Sequence, residues 1–348
     1  MNPLVMSCLL IALGLGTTTT FASSHWLLAW MGLEINTLAI LPLMAQTHHP
    51  RAVEATTKYF IAQATATATL LFATMVNAWI TGQWDINQMS HPLPTTMVMI
   101  ALALKIGLAP MHSWLPEVLQ GLTLTTGLIL STWQKLAPFA LLVQVFPANP
   151  TPLIIMALLS TLVGGWGGLN QTQLRKILAY SSIAHLGWMV LVLQFYPPLT
   201  ILALATYIVM TTSIFLTFKA NGASSIGSLS TSWTKAPVLT TITPLLLLSL
   251  GGLPPLTGFM PKWLILQEMT KHDLSGLATL VALTALLSLY FYLRLSYAMT
   301  LTVLPNNTPG TTPWRFSSIQ SSLPLSFSST SSVMLLPLAP AAMALLLS

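Results

Sequence analysis

Four side chains stand where an ionisable group is expensive. Glu34, Lys105, Lys135 and Lys262 each lie inside a long apolar run, and a charge at the centre of a membrane-spanning helix costs roughly 2.5–3.5 kcal/mol on insertion scales. Groups kept at that cost mark proton relays and ion paths. A carboxylate moving toward or away from a desolvated lysine could switch it between loading and releasing a proton. Glu34 has no basic neighbour within its own run, 27–43. It is therefore either paired with a lysine from another helix, Lys105 being the natural partner, or protonated. Lys135 precedes Pro138 and could link the other two lysines; a snorkelling lysine is the alternative, if Pro138 ends a half-helix there.

Two interruptions accompany the lysines. Just after Lys105 comes Gly107-Leu108-Ala109-Pro110-Met111-His112-Ser113-Trp114-Leu115-Pro116, and just before Lys262 comes Gly252-Leu253-Pro254-Pro255-Leu256-Thr257-Gly258-Phe259-Met260-Pro261. Within a helix, Pro110 would free the carbonyl of Ile106 and Pro261 that of Thr257. Free carbonyls are tolerated in a membrane only inside protein or beside a hydrated cavity, and an ammonium, which only donates, suits them. One such break is as readily a packing kink; two matched breaks beside lysines favour a functional site. His112 falls inside the first break, and His185 follows Tyr180-Ser181-Ser182. Each could relay protons or be a hydrogen-bonded structural histidine. Glu117 and Glu268 lie near segment ends, where solvation at the interface is expected. His48 and His49 read as loop residues, and no pair of histidines has metal-ligand spacing.

These residues need a scaffold, and composition says which. The 348 residues include only 12 Lys and Arg and 6 Asp and Glu, 5% charged against 54% hydrophobic; soluble domains carry about 25% charged residues. That excludes a soluble enzyme, a nucleic-acid binder and a secreted disulfide scaffold. The single cysteine, Cys8, excludes an intramolecular disulfide or a thiolate-held cluster. No glycine-rich nucleotide fingerprint follows a strand-like run. The opening Met1-Asn2-Pro3-Leu4 shows no basic targeting region, so the first apolar segment is expected to be retained.

Apolar segments long enough to span run over 3–22, 25–45, 57–81, 95–117, 122–146, 152–170, 174–195, 199–218, 236–269, 275–298 and 323–347. The expected fold is an all-α polytopic membrane protein of about 11 helices in one domain, 1–348, with a polar connection over 303–322. Alternating the segments places Arg51, Lys58, Arg175, Lys176, Lys219, Lys235, Arg294 and Arg315 on the N-terminal side and Lys271 alone opposite. The positive-inside bias puts the N-terminus in the cytoplasm or organelle matrix. The two breaks are 145 residues apart, and the same offset carries segments one to five onto six to ten. Two five-helix repeats, about 1–148 and 149–300, are expected, plus a terminal helix at about 323–347. An odd number of helices per repeat inverts the second copy, the pattern of ion-coupled transporters.

The first break, the stretch Thr172-Gln173-Leu174-Arg175-Lys176-Ile177-Leu178-Ala179-Tyr180-Ser181-Ser182-Ile183-Ala184-His185-Leu186-Gly187, and the second break with Lys262-Trp263 together resemble the antiporter-like membrane subunits of respiratory NADH:ubiquinone oxidoreductase, complex I. The resemblance covers essentially the whole chain and is to the animal mitochondrial form, which lacks three helices of the bacterial relatives. It implies proton translocation across the mitochondrial inner membrane, with the N-terminus on the matrix side, driven by electron transfer elsewhere. Glu34 and Lys105 would be the family's glutamate–lysine pair, Lys135 its central lysine and Lys262 the lysine of the second break. FMN, iron–sulfur clusters and ubiquinone would belong to other subunits, with no cofactor or metal in this chain. Partners would be neighbouring antiporter-like subunits, other membrane-arm subunits and lipids such as cardiolipin, which with other subunits would fill the groove left by the missing helices. A stand-alone cation/proton antiporter of the same fold and a purely structural scaffold are the alternatives. Glu34 as the one mid-membrane carboxylate weighs against the first.

Overall fold

The computed structural model describes residues 2–89, 91–145, 150–234, 236–301 and 322–347. Arg315, Lys235 and most of the 303–322 connection lie outside them. The described residues are helical, with no named strand. The chain forms two units, 1–159 and 160–348.

The first unit begins with α1 (Pro3–Ala22), α2 (Trp26–Met44) and α3 (Pro50–Thr81). It continues with α4 (Pro92–Ile106), α5 (Trp114–Gly121), α6 (Leu124–Ser131) and α7 (Trp133–Gln144), and α8 (Thr151–Gly168) runs across the division. The second unit holds α9 (Leu174–Leu193), α10 (Pro197–Asn221), the short α11 (Ile226–Ser230), α12 (Pro237–Gly251), α13 (Phe259–Lys271) and α14 (Ser275–Thr300). It ends with α15 (Leu323–Met334) and α16 (Ala339–Leu347). Eight helices or helix pairs are long and apolar enough to cross a membrane among the described residues. The segments expected at 95–117 and 236–269 are each a pair of shorter helices either side of a break, α4 and α5, α12 and α13. The segment at 122–146 is also divided, at Thr132. The single terminal helix expected at 323–347 is two helices, α15 and α16, joined by a 3-10 turn over Leu336–Leu338 that contains Pro337. Pro138 ends nothing: it lies inside α7.

Helix starts follow local chemistry. Proline occupies the first turn of α1, α3, α4, α10 and α12, where its missing N–H costs no helical bond. Imidazole Nδ1 atoms cap two starts, His25 accepting from Leu27 N and His49 from Arg51 N, both at 3.2 Å. Helices α1 and α2 approach at Gly16 and Gly32; a Cβ on either glycine would sit 2.9 Å from the other's carbonyl oxygen. That crossing fixes the part of α2 bearing Glu34.

Within each unit, helix ends that alternation assigns to one side are joined. Trp26 N donates to Trp84 O and Ile86 N to Ser24 O, each at 3.0 Å. Gly121 lies against the Arg51 carbonyl. In the second unit Arg294 donates to Leu169 O at 2.5 Å, and the Phe195 and His272 rings are 4.8 Å apart.

Candidate functional site: two broken helices and their lysines

In the first break, glycine rather than proline stops the helix. Gly107 adopts φ +87°, and the N–H groups of Gly107 and Leu108 both return to the Ala103 carbonyl at 2.9 Å, a left-handed helix cap. Pro110 lies beyond the helix, so the Ile106 carbonyl is not released by it as the spacing predicts. The last-turn carbonyls of α4 find other donors: Trp114 Nε1 bonds Leu104 O at 3.1 Å, and Gln63 Nε2 bonds Lys105 O at 3.3 Å. Tyr59, one turn from Gln63 on α3, meets the Trp114 ring edge-on at 5.7 Å. The Lys105 ammonium takes neither carbonyl. A helical side chain slants back toward its own N-terminus, which directs Lys105, placed before the break, away from it.

Lys105 is 6% exposed. Glu34 lies within electrostatic reach of Lys105 and of Tyr59, yet no ion pair within 4 Å joins Glu34 to a base among the described residues. Its Oε2 is buried and makes no hydrogen bond. The expected pair is thus brought together without direct contact. Lys135 is 3% exposed, in the first turn of α7 just after the Thr132 interruption. Pro138 removes the N–H that would have bonded the Gln134 carbonyl, so polar backbone adjoins this lysine too. His112 stays at the rim, half-buried, with Nδ1 3.2 Å from Pro110 O.

The second break is built differently. Gly252, at φ +80°, caps α12 with its N–H on Leu248 O and Ser249 O. Pro254 and Pro255 fill the turn before α13. Pro261 falls in the first turn of α13, where proline is accommodated, and the Thr257 carbonyl accepts from Met260 N at 3.2 Å; the release predicted for Pro261 does not occur. Here an ammonium does meet a helix-end carbonyl: Lys262 Nζ donates to Gly251 O at 2.8 Å. Lys262 follows its break, so the same backward slant carries it toward the end of α12. Its Nζ also lies 5.9 Å from the centroid of Trp188, within cation–π range.

His185, 8% exposed, shares with Lys262 and Trp188 a cavity of about 20 Å³, room for roughly one water. Its Nδ1 is 2.7 Å from Ser181 O, and its ring is 5.7 Å from Tyr207. The hydroxyls of Tyr207 and Tyr292 lie beside Ser182 and Ser181. Sequence reading passed over Gln63, Tyr59, Tyr207 and Tyr292, and gave Trp114 and Gly252 no role beyond their place in the breaks. Gln63 carried a signal, a neutral polar residue in an apolar helix, but its partner is 42 residues away. Glu117 is not merely solvated: Lys58 bridges it at 2.8 Å and Glu54 at 2.7 Å.

Residues 23–288 match the family described as NADH:quinone oxidoreductase/Mrp antiporter, and residues 289–343 match NADH dehydrogenase subunit 2 C-terminus. NADH-ubiquinone oxidoreductase chain 2 of Tetraodon nigroviridis is 70% identical over 340 residues, 98% of either chain. That of Oncorhynchus mykiss is 69% identical over 347 residues, 99% of either. A chain in a structure of respiratory complex I from Thermus thermophilus with bound aureothin is 29% identical, with TM-score 0.86 over 99% of this chain and 80% of that one. A chain of the Mrp complex from Dietzia shares the fold at 16% identity, TM-score 0.83, over 97% of this chain and 75% of that one. Whole-length similarity at this level, on a helical membrane scaffold with two lysine-bearing breaks, establishes that the chain belongs to the NADH-ubiquinone oxidoreductase chain 2 family, the antiporter-like subunits of respiratory complex I.

Proposed function

We propose that this subunit conducts protons across the mitochondrial inner membrane, its N-terminus on the matrix side, using Glu34, Lys105 and Lys135 in the first unit and Lys262 in the second. His185 serves as a relay beside Lys262, and His112 as a relay in the first break. The carrying observation is the burial of Lys105 and Lys135 together with a carboxylate in electrostatic reach of Lys105. Such a set can load a proton when Glu34 approaches and release it when Glu34 retreats. The matched breaks support an internal repeat of about 1–148 and 149–300.

Moving one charge against 100 mV takes about 2.3 kcal/mol, which reaches this chain from electron transfer in other subunits. FMN, iron–sulfur clusters and ubiquinone are assigned to those subunits, and membrane-arm neighbours and lipids such as cardiolipin are the partners. Lys105→Ala and Glu34→Gln are expected to lower proton pumping and the linked quinone reductase activity while the complex assembles. Normal pumping in either assembled variant removes that residue from the path. Sodium–proton exchange by the chain reconstituted alone would instead identify a self-sufficient antiporter.

A further inference from the structure

The two breaks share a helix-capping glycine in the left-handed region, Gly107 and Gly252, but different side chains cover them. A Cβ at Gly107 would meet Leu115 Cδ1 at 2.9 Å and Trp114 Cζ2 at 3.4 Å. At Gly252 it would meet Lys262, Cδ at 2.9 Å and Nζ at 3.0 Å. The ammonium that bonds Gly251 O at 2.8 Å thus lies directly over a position where a side chain would push it off.

We propose that Gly252 is a positioning residue for Lys262: the missing side chain lets the ammonium dock on the Gly251 carbonyl, and the dock sets how tightly that lysine keeps its proton. The proposal rests on Lys262 being a proton carrier. The carbonyl ends α12 and carries the negative end of that helix's dipole, so it favours the charged lysine, as does the Trp188 face. Few other groups compete. Helix α12 has no titratable residue. Helix α9 offers His185 at the shared cavity, with Tyr207 on α10 and Tyr292 on α14 behind it. Glu268 on α13 is taken by Lys271. Removing the carbonyl therefore leaves the ammonium with little to replace it.

The test uses the assembled complex in sealed membrane vesicles, following NADH-driven proton uptake against pH. Gly252→Ala is expected to move the alkaline limb of the pumping profile to lower pH by about one unit, the scale of one charged hydrogen bond. Gly107→Ala imposes the same left-handed strain on a turn with no lysine over it, and is expected to reduce pumping without moving the limb. Gly252→Asn, which tolerates that backbone conformation yet adds the Cβ, replaces the alanine variant if the latter does not assemble. A Gly252 profile that superimposes on wild type, or an equal shift in Gly107→Ala, overturns the dock. Lys262→Met separates the two levels. If it pumps normally, Lys262 is no carrier; if it does not pump and the Gly252 profile is unmoved, the dock alone fails.

Discussion

The Trp114 indole is the donor that closes the first break, and removing it gives a sharp expectation. Trp114→Phe keeps an aromatic ring against Tyr59 and deletes the N–H that bonds Leu104 O at 3.1 Å. Leu108 N, which would bond that carbonyl in a continued helix, is already committed to Ala103 O at 2.9 Å. The carbonyl is then left without a donor in an apolar surround, a loss of about 1–3 kcal/mol. The last turn of α4, with Lys105 on it, should open more often by the matching factor of roughly 5 to 150. Hydrogen exchange in the purified complex reads this directly at the amides of Gly107 and Leu108, which close that turn. Trp30→Phe is the control, deleting an indole bond to Thr67 O in the same unit and leaving those amides alone. Unchanged exchange at Gly107 and Leu108 in Trp114→Phe would refute the view that the indole holds the break.

Gly258→Ala should block assembly, because its Cβ would fall 1.7 Å from the Ser249 carbonyl oxygen, a backbone atom that cannot step aside; native-gel assembly at wild-type yield would contradict that packing. Lys58→Ala should change little. Its partners Glu54 and Glu117 have 63% and 54% of their side-chain surface exposed, and such surface pairs contribute about 0–1 kcal/mol. Thermal inactivation of the Lys58→Ala complex should therefore track wild type within a few degrees. A large loss there would show the bridge to α5 to be structural.

How much of this was legible beforehand depends on the residue. The four ionisable groups inside apolar segments and both breaks could be read because charge and proline are rare against an apolar background. Which atom stops each helix could not. Proline attracts attention, but Gly107 and Gly252 end their helices before any of those prolines is reached, and Pro110 and Pro261 leave no helical carbonyl stranded. Pro138 misled in the same way: an interior proline was compatible with a break, which the backbone places at Thr132. Gln63 stood out as a neutral polar residue in an apolar helix, but a glutamine names no partner, and its partner lies 42 residues away.

The order of residues nevertheless held one determinant outright. Lys105 precedes its break and Lys262 follows its own, and the N-terminal slant of helical side chains turns that order into opposite aims. Sequence alone thus determined which segments are apolar enough to span, that two of them break beside lysines, and where charge survives, since burial in lipid penalises every exception. Tertiary structure decided which donor meets each freed carbonyl. Trp114 and Gln63 take those of α4, and Lys262 takes that of α12, because only packing brings distant donors within 3 Å or so of one carbonyl.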